Sequence, residues 1–128
     1  MRKSKILILY GCLLMVIIPL AAQNKKGNFH RVKFERGSAS AVIKGAIRNW
    51  SEEVYVLEAR QGQRMIVNLR PIPRDADMTL NIETPNGKSL NDSDSGWTGK
   101  LPQNGDYKIH ITTIHSKTAR FTLEVTIK

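Results

Sequence analysis

The sequence predicts an all-β protein, an antiparallel β-sandwich of about eight strands. Three observations predict it. Apolar residues alternate with polar ones in short runs throughout the chain after residue 28. Turn residues break those runs roughly every ten positions, a spacing typical of sandwiches and barrels. No segment sustains the 3.6-residue repeat of a helix.

The runs follow in order. Val32 and Phe34 alternate with charged neighbours, and Ala41, Ile43, Gly45 and Ile47 take alternate positions. Tyr55, Leu57 and Ala59 do the same, then Met65, Val67 and Leu69 beyond a Gln61-Gly62-Gln63 turn. Met78, Leu80 and Ile82 follow, then Tyr107, Ile109 and Ile111, and finally Phe121, Leu123, Val125 and Ile127. A period of two puts each set on one face of a strand, with one side buried and the other wet. Pro85-Asn86-Gly87-Lys88 and Pro102-Gln103-Asn104-Gly105 supply the fixed and positive φ angles of tight turns. Pro71 and Pro73 with Asp75 predict a longer loop, and Asn91 to Gly96 another. There is no internal repeat and no sign of a second domain.

The first 22 residues stand apart. Arg2, Lys3 and Lys5 precede an apolar run from Ile6 to Leu20, and Ala21 and Ala22 lead into Gln23. A basic start, a short apolar stretch and small residues at the exit make a secretory signal peptide. The run is shorter than the roughly 20 residues that span a bilayer. Residues 1–22 are therefore read as a cleaved signal and residues 23–128 as one sandwich domain, periplasmic or secreted, with no stable membrane association. Gln23 to Asn28 is polar and loose in this reading. Cys12, the one cysteine, leaves with the signal, so packing rather than disulfides must hold the domain together. The formal charge of the chain is +9, and losing Arg2, Lys3 and Lys5 leaves +6. A basic exported domain favours acidic surfaces or carboxylate-bearing clefts as partners. Nucleic acid is excluded by the compartment.

Chemistry is harder to find. His30, His110 and His115 have no metal-ligand spacing with one another or with a carboxylate. No serine sits in a glycine-flanked nucleophile turn, and no phosphate-binding glycine loop is present. Glu52 and Glu53 adjoin, which sends them to opposite faces of a strand. The chain is read as a binding protein without a cofactor, not as an enzyme. Asp92 and Asp94 in Asn91-Asp92-Ser93-Asp94-Ser95-Gly96 offer alternating oxygens, but the twelfth position from Asp92 is Gln103 rather than the closing glutamate of a calcium loop. The pair is a weak metal candidate beside a solvated-loop reading. Two tryptophans lie near turns, where an indole is either rim packing or a recognition anchor. Trp97 precedes a strand, which favours packing. Trp50 sits between two strands, and both of its readings stay open. The hairpin tip His115-Ser116-Lys117-Thr118, with Arg120, is polar and basic.

Several of these residues carry a resemblance. Val32-Lys33-Phe34-Glu35-Arg36-Gly37-Ser38-Ala39-Ser40-Ala41, then Gly45, Ile47, Tyr55, the Ala59…Gly62-Gln63 turn, Leu101-Pro102, Gly105 and Tyr107 resemble the bacterial periplasmic inhibitors of g-type lysozyme. The Gly62-Gln63 turn, Gly105-Asp106-Tyr107 and the stretch from Asp77 to Leu80 and on to Pro85-Asn86-Gly87 are similar also to the pre-peptidase C-terminal type of β-sandwich. The first resemblance implies a g-type lysozyme as protein partner, its substrate cleft occluded by loops of the sandwich. It implies lysozyme contacts at Trp50, which takes the position of a loop aromatic, and at His115 and Lys117, which stand where arginines are expected in a longer last hairpin. Arg120 and Trp97 complete the candidate set. The second resemblance implies the alternative, a non-catalytic module for glycan or cell-wall polymer, with or without calcium.

Overall fold

The computed structural model describes residues 27–35 and 37–128. The signal peptide with Cys12, the polar stretch to Lys26, and Arg36 lie outside the described residues. Eight strands form: β1 (Asn28–Arg31), β2 (Ser40–Ile47), β3 (Glu53–Ala59), β4 (Arg64–Ile72), β5 (Met78–Glu83), β6 (Gly96–Lys100), β7 (Gly105–Thr113) and β8 (Ala119–Ile127). They make two four-stranded sheets, β1-β3-β7-β5 and β2-β8-β4-β6, packed as a sandwich.

The alternating residues close on each other as period two requires. Tyr55, Leu57, Ala59, Met78, Leu80, Ile82, Tyr107, Ile109 and Ile111 come from one sheet. Ile47, Met65, Val67, Leu69, Phe121, Leu123 and Val125 come from the other. The buried Tyr107 hydroxyl donates to the Gln103 carbonyl at 2.7 Å and accepts the Gln103 N–H at 3.0 Å, which fastens the predicted turn before β7.

Three expectations need correction. The first strand is not built on Val32 and Phe34. It lies earlier, at Asn28–Arg31, and overlaps the stretch read as loose. It also runs parallel to β3, so the sandwich is only mostly antiparallel. Val32 and Phe34 do pack on the core, but the ladder ends at the Val32 N–H to Val56 carbonyl bond of 2.8 Å. Alternation reports which side chains turn inward, not whether the backbone has a partner. A parallel pair needs a crossover, and β2 in the opposite sheet supplies it. Side chains distant in sequence hold β1. Glu53 receives Asn28 Nδ2 and His30 Nε2, both at 2.7 Å, and Arg31 pairs with Asp106 at 2.8 Å.

Second, Pro71 belongs to β4 rather than to a loop. The Leu69 N–H faces the β6 side, where it bonds the Ser95 carbonyl at 2.9 Å. The nitrogen of Pro71, two residues on, faces that same side beyond the end of β6, which pairs only as far as Asn68. A proline is tolerated where no neighbour asks for its N–H. Third, Trp97 lies within β6 instead of before a strand.

Candidate functional site

One end of the sandwich gathers the starts of β1, β3, β5 and β8 and the ends of β2, β4 and β7. Among the described residues, four of the five large apolar side chains that stand exposed, Phe29, Trp50, Ile72 and Ile114, lie at this end. Such a concentration, flanked by charge, makes this end the candidate interaction surface.

At its centre is the β2–β3 connection. The Ser51 N–H bonds the Arg48 carbonyl at 3.0 Å, closing a four-residue turn. Both central residues have positive φ, 53° at Asn49 and 62° at Trp50. Two positive φ angles in succession define the type I′ geometry, whose preferred pair is Asn-Gly. Asn49 suits its place. Trp50 does not, because a Cβ at positive φ crowds the following carbonyl at a cost of about 1–2 kcal/mol. The indole is nonetheless more than half exposed, at 54%. A bulky residue kept in a strained conformation without burial in return is a mark of function.

The last hairpin stands beside this turn. The Trp50 N–H bonds the Lys117 carbonyl at 3.1 Å, which joins the two loops directly. Asp77, from the β4–β5 loop, orders the tip. Its Oδ2 accepts the His115 N–H at 2.7 Å and lies 2.5 Å from His115 Nδ1, and its Oδ1 accepts from Ser116 Oγ at 3.2 Å. The Ile114 N–H bonds the Asp77 carbonyl at 3.1 Å. Thr113 Oγ1 donates to the Ser116 carbonyl across the tip. The His115 ring is thus oriented while remaining largely exposed. Desolvation opposes ionisation of Asp77, but the bonds from the His115 backbone, the His115 ring and Ser116 outweigh it and hold the carboxyl below its ordinary value.

A native pKa below the unfolded one makes the tether complete above the ordinary value of 3.8 and weakens it as pH falls through the lowered native value. Replacing Asp77 by alanine is expected to speed amide exchange from Ile114 to Lys117 at neutral pH, leaving the core strands protected. In the unmutated protein the His115 amide resonance should shift as the pH falls below the ordinary 3.8 and through the lowered native value, as linkage requires. A resonance that stays put removes Asp77 from this role.

Arg120 is not at the tip. It is the second residue of β8, opposite Ala46 on one side and Ile72 on the other, and faces outward between buried Ala119 and Phe121. Trp50, His115, Lys117 and Arg120 therefore share one end. Trp97 does not join them. It pairs with Val67, which pairs with Val125, six residues along β8 from Ala119. That is roughly 20 Å at the rise of a strand. Its indole packs on the core and covers Gly99.

Asp92 and Asp94 lie at a different edge. Asp94 Oδ1 accepts the Leu80 N–H at 3.0 Å, and Asn91 Oδ1 accepts the Ile82 N–H at 2.7 Å. The loop's polar side chains thus stand in for a missing neighbour along β5 and protect its edge. Among the described residues no group of three or more His, Cys, Asp or Glu is placed to hold a metal ion.

No family model matches the chain, and no curated protein matches it by sequence. Solved structures do. The chain is similar to periplasmic inhibitors of g-type lysozyme. With the inhibitor from Aeromonas hydrophila it shares 25% identity at a TM-score of 0.71, over 81% of this chain and 99% of that one. With the inhibitor from Salmonella Typhimurium the values are 20%, 0.63, 80% and 100%. The pre-peptidase C-terminal domain of a Bacillus anthracis collagenase matches at 12% identity and a TM-score of 0.61, over 83% of this chain and 100% of that one. The last two establish likeness of fold alone. Both resemblances read from the residues are thus present in the architecture.

Sequence reasoning missed several participants. All three histidines are bonded to carboxylates: His30 to Glu53, His110 to Glu52 at 3.0 Å and Glu83 at 3.4 Å, and His115 to Asp77. The partners lie 23 to 58 residues away, so no spacing rule finds them. The strain at Trp50 had a signal. Asn49 is the residue type that opens a turn of this geometry, and the glycine that usually follows it is missing.

Proposed function

We propose that the protein is a periplasmic inhibitor of g-type lysozyme that occludes the enzyme's substrate cleft with the loops at the Trp50 end. In this reading residues 1–22 are the export signal and residues 23–128 the mature domain. It acts by binding, not by catalysis. The observation that carries the reading is the turn that holds Trp50 at positive φ, exposed and hydrogen-bonded to the basic last hairpin. The likeness to the Aeromonas hydrophila inhibitor supports it over nearly the whole of that chain.

Glycoside hydrolysis depends on an acidic residue that protonates the leaving oxygen. A cationic loop seated over that group engages its carboxyl and excludes sugar. Lys117 and Arg120 carry fixed charge for this purpose, and His115, turned outward by Asp77, adds a donor when protonated. Lys117 lacks the planar fork of arginine and binds a carboxylate less specifically. Trp50 supplies the apolar anchor that a cleft accepts.

The test is direct. Purified residues 23–128 are mixed with several g-type lysozymes and a cell-wall substrate, and lysis is followed by turbidity. Loss of lysis is expected. Undiminished lysis by every enzyme at micromolar excess of the protein would overturn the proposal.

A further inference from the structure

Beside Trp50 the outward face of the second sheet carries a cluster of cations. Lys44 and Arg48 project from β2 and its exit, and Arg120 projects from β8 opposite Ala46. Together with Ile72 and Thr122 they border a depression of about 390 Å³, left open because position 46 carries only a methyl group. Residues opposite or diagonal across an antiparallel pair stand roughly 5–8 Å apart, so the three cations repel one another. Among the described residues none of the three has a carboxylate within 4.0 Å. The neighbouring Arg70, on the same face, is matched by Glu124 at 3.1 Å. Repulsion left unrelieved next to a surface anchor points to a partner that brings the missing negative charge.

The basic character is interrupted along the sheet. One step further the facing residues are Val42, Glu124 and Asn68, and the next step holds Ser40, Thr126 and Ile66. Cations return only beyond those two rows, at Arg64 and Lys100. A polyanion tracks a continuous line of cations, and here the line is broken. The patch borders instead on exposed Trp50 and Ile72. A compact mixture of arginine, aromatic and aliphatic groups is the composition of a protein interface.

We infer that this face is a second part of the inhibitor's footprint, on which acidic side chains beside the lysozyme cleft dock against Lys44, Arg48 and Arg120. The inference rests on the inhibitor reading and extends it from the loops to the sheet. The loops block the cleft. The sheet face sets orientation and attracts the enzyme, since complementary charge acts chiefly on the association rate.

The experiment measures association and dissociation of the wild-type protein and of Lys44→Glu/Arg48→Glu with an inhibited g-type lysozyme, across a range of salt. Both positions are exposed, so the fold should survive, and circular dichroism and a thermal melt verify it. The expected result is binding weaker by ~10-fold or more, lost mainly in the association rate, with a flatter dependence on salt. The milder Lys44→Gln/Arg48→Gln should fall between the two. A folded double variant that binds as the wild type does, with the same salt dependence, overturns the inference and leaves the inhibitor reading standing. A wild-type protein that binds no such lysozyme removes both. Retention of the wild type, but not the variant, on a sulfated polysaccharide column at physiological salt assigns the face to a polyanion and overturns the protein footprint.

Discussion

Replacing Phe121 by alanine should lower the unfolding midpoint further than any other single truncation in the core. The ring is 1% exposed and stands edge-on to Tyr55, with centroids 6.2 Å apart and planes at 82°. Removing a buried phenylalanine costs about 3–5 kcal/mol, because the walls of the cavity do not fully collapse. The lost aromatic pair adds roughly 0.5–1.5 kcal/mol. Domains of this size shift by about 4–8 °C per kcal/mol, so a fall of at least ~12 °C is expected in a thermal melt. A drop of only a few degrees would mean that the two sheets close over the gap.

The same ring explains Gly45. Its register partner is Phe121, and a Cβ at position 45 would lie 2.5 Å from Phe121 Cζ and 2.8 Å from the Tyr55 hydroxyl. Gly45→Ala alone should therefore destabilise by about 1–3 kcal/mol through overpacking. In the double variant the new methyl enters space the ring has left. The two losses should then fall short of additive by an amount in the range of about 0.5–3 kcal/mol found for residues in contact. Strict additivity would show that the glycine is kept for its backbone and not for the ring.

This pair shows what the sequence made legible. Alternation placed Gly45, Tyr55 and Phe121 on inward faces, because the side-chain period of a strand follows from backbone geometry alone. The turns were legible for the same reason, since glycine and proline act locally. What escaped reading depends on partners far along the chain. The parallel pairing of β1 is held through Glu53 and Asp106. The polar loop at Asp94 proved to be edge protection, which cannot be told from a ligand loop until β5 is known to lie beside it. The candidate site was half legible. Trp50, His115 and Lys117 were found as exposed polar or aromatic loop residues, but nothing in their spacing placed Asp77 beneath the tip. Trp97 was grouped with them by residue type, and the register sets it at the far side of the sheet.

Glycine at position 50 should separate the indole's two roles. The turn geometry asks for a residue that tolerates a φ near 62°, and Asn-Gly is its preferred pair. Trp50→Gly relieves the crowding of the Cβ, worth about 1–2 kcal/mol, and keeps the N–H that bonds Lys117. Part of that gain is offset by the greater freedom of glycine in the unfolded chain, by up to about 1 kcal/mol. The midpoint of unfolding should hold or rise. Inhibition should collapse, because a tryptophan anchor in a blocked cleft contributes about 2 kcal/mol or more. That corresponds to roughly 30-fold or more in the inhibition constant. Trp50→Ala serves as control, losing the indole without relieving the backbone, and should inhibit as poorly from a less stable fold. A glycine variant that melts several degrees lower yet inhibits as well as the wild type would make the indole a packing residue and move the anchor elsewhere on this end. The reverse pattern, more stable and inactive, is what strain retained for binding predicts.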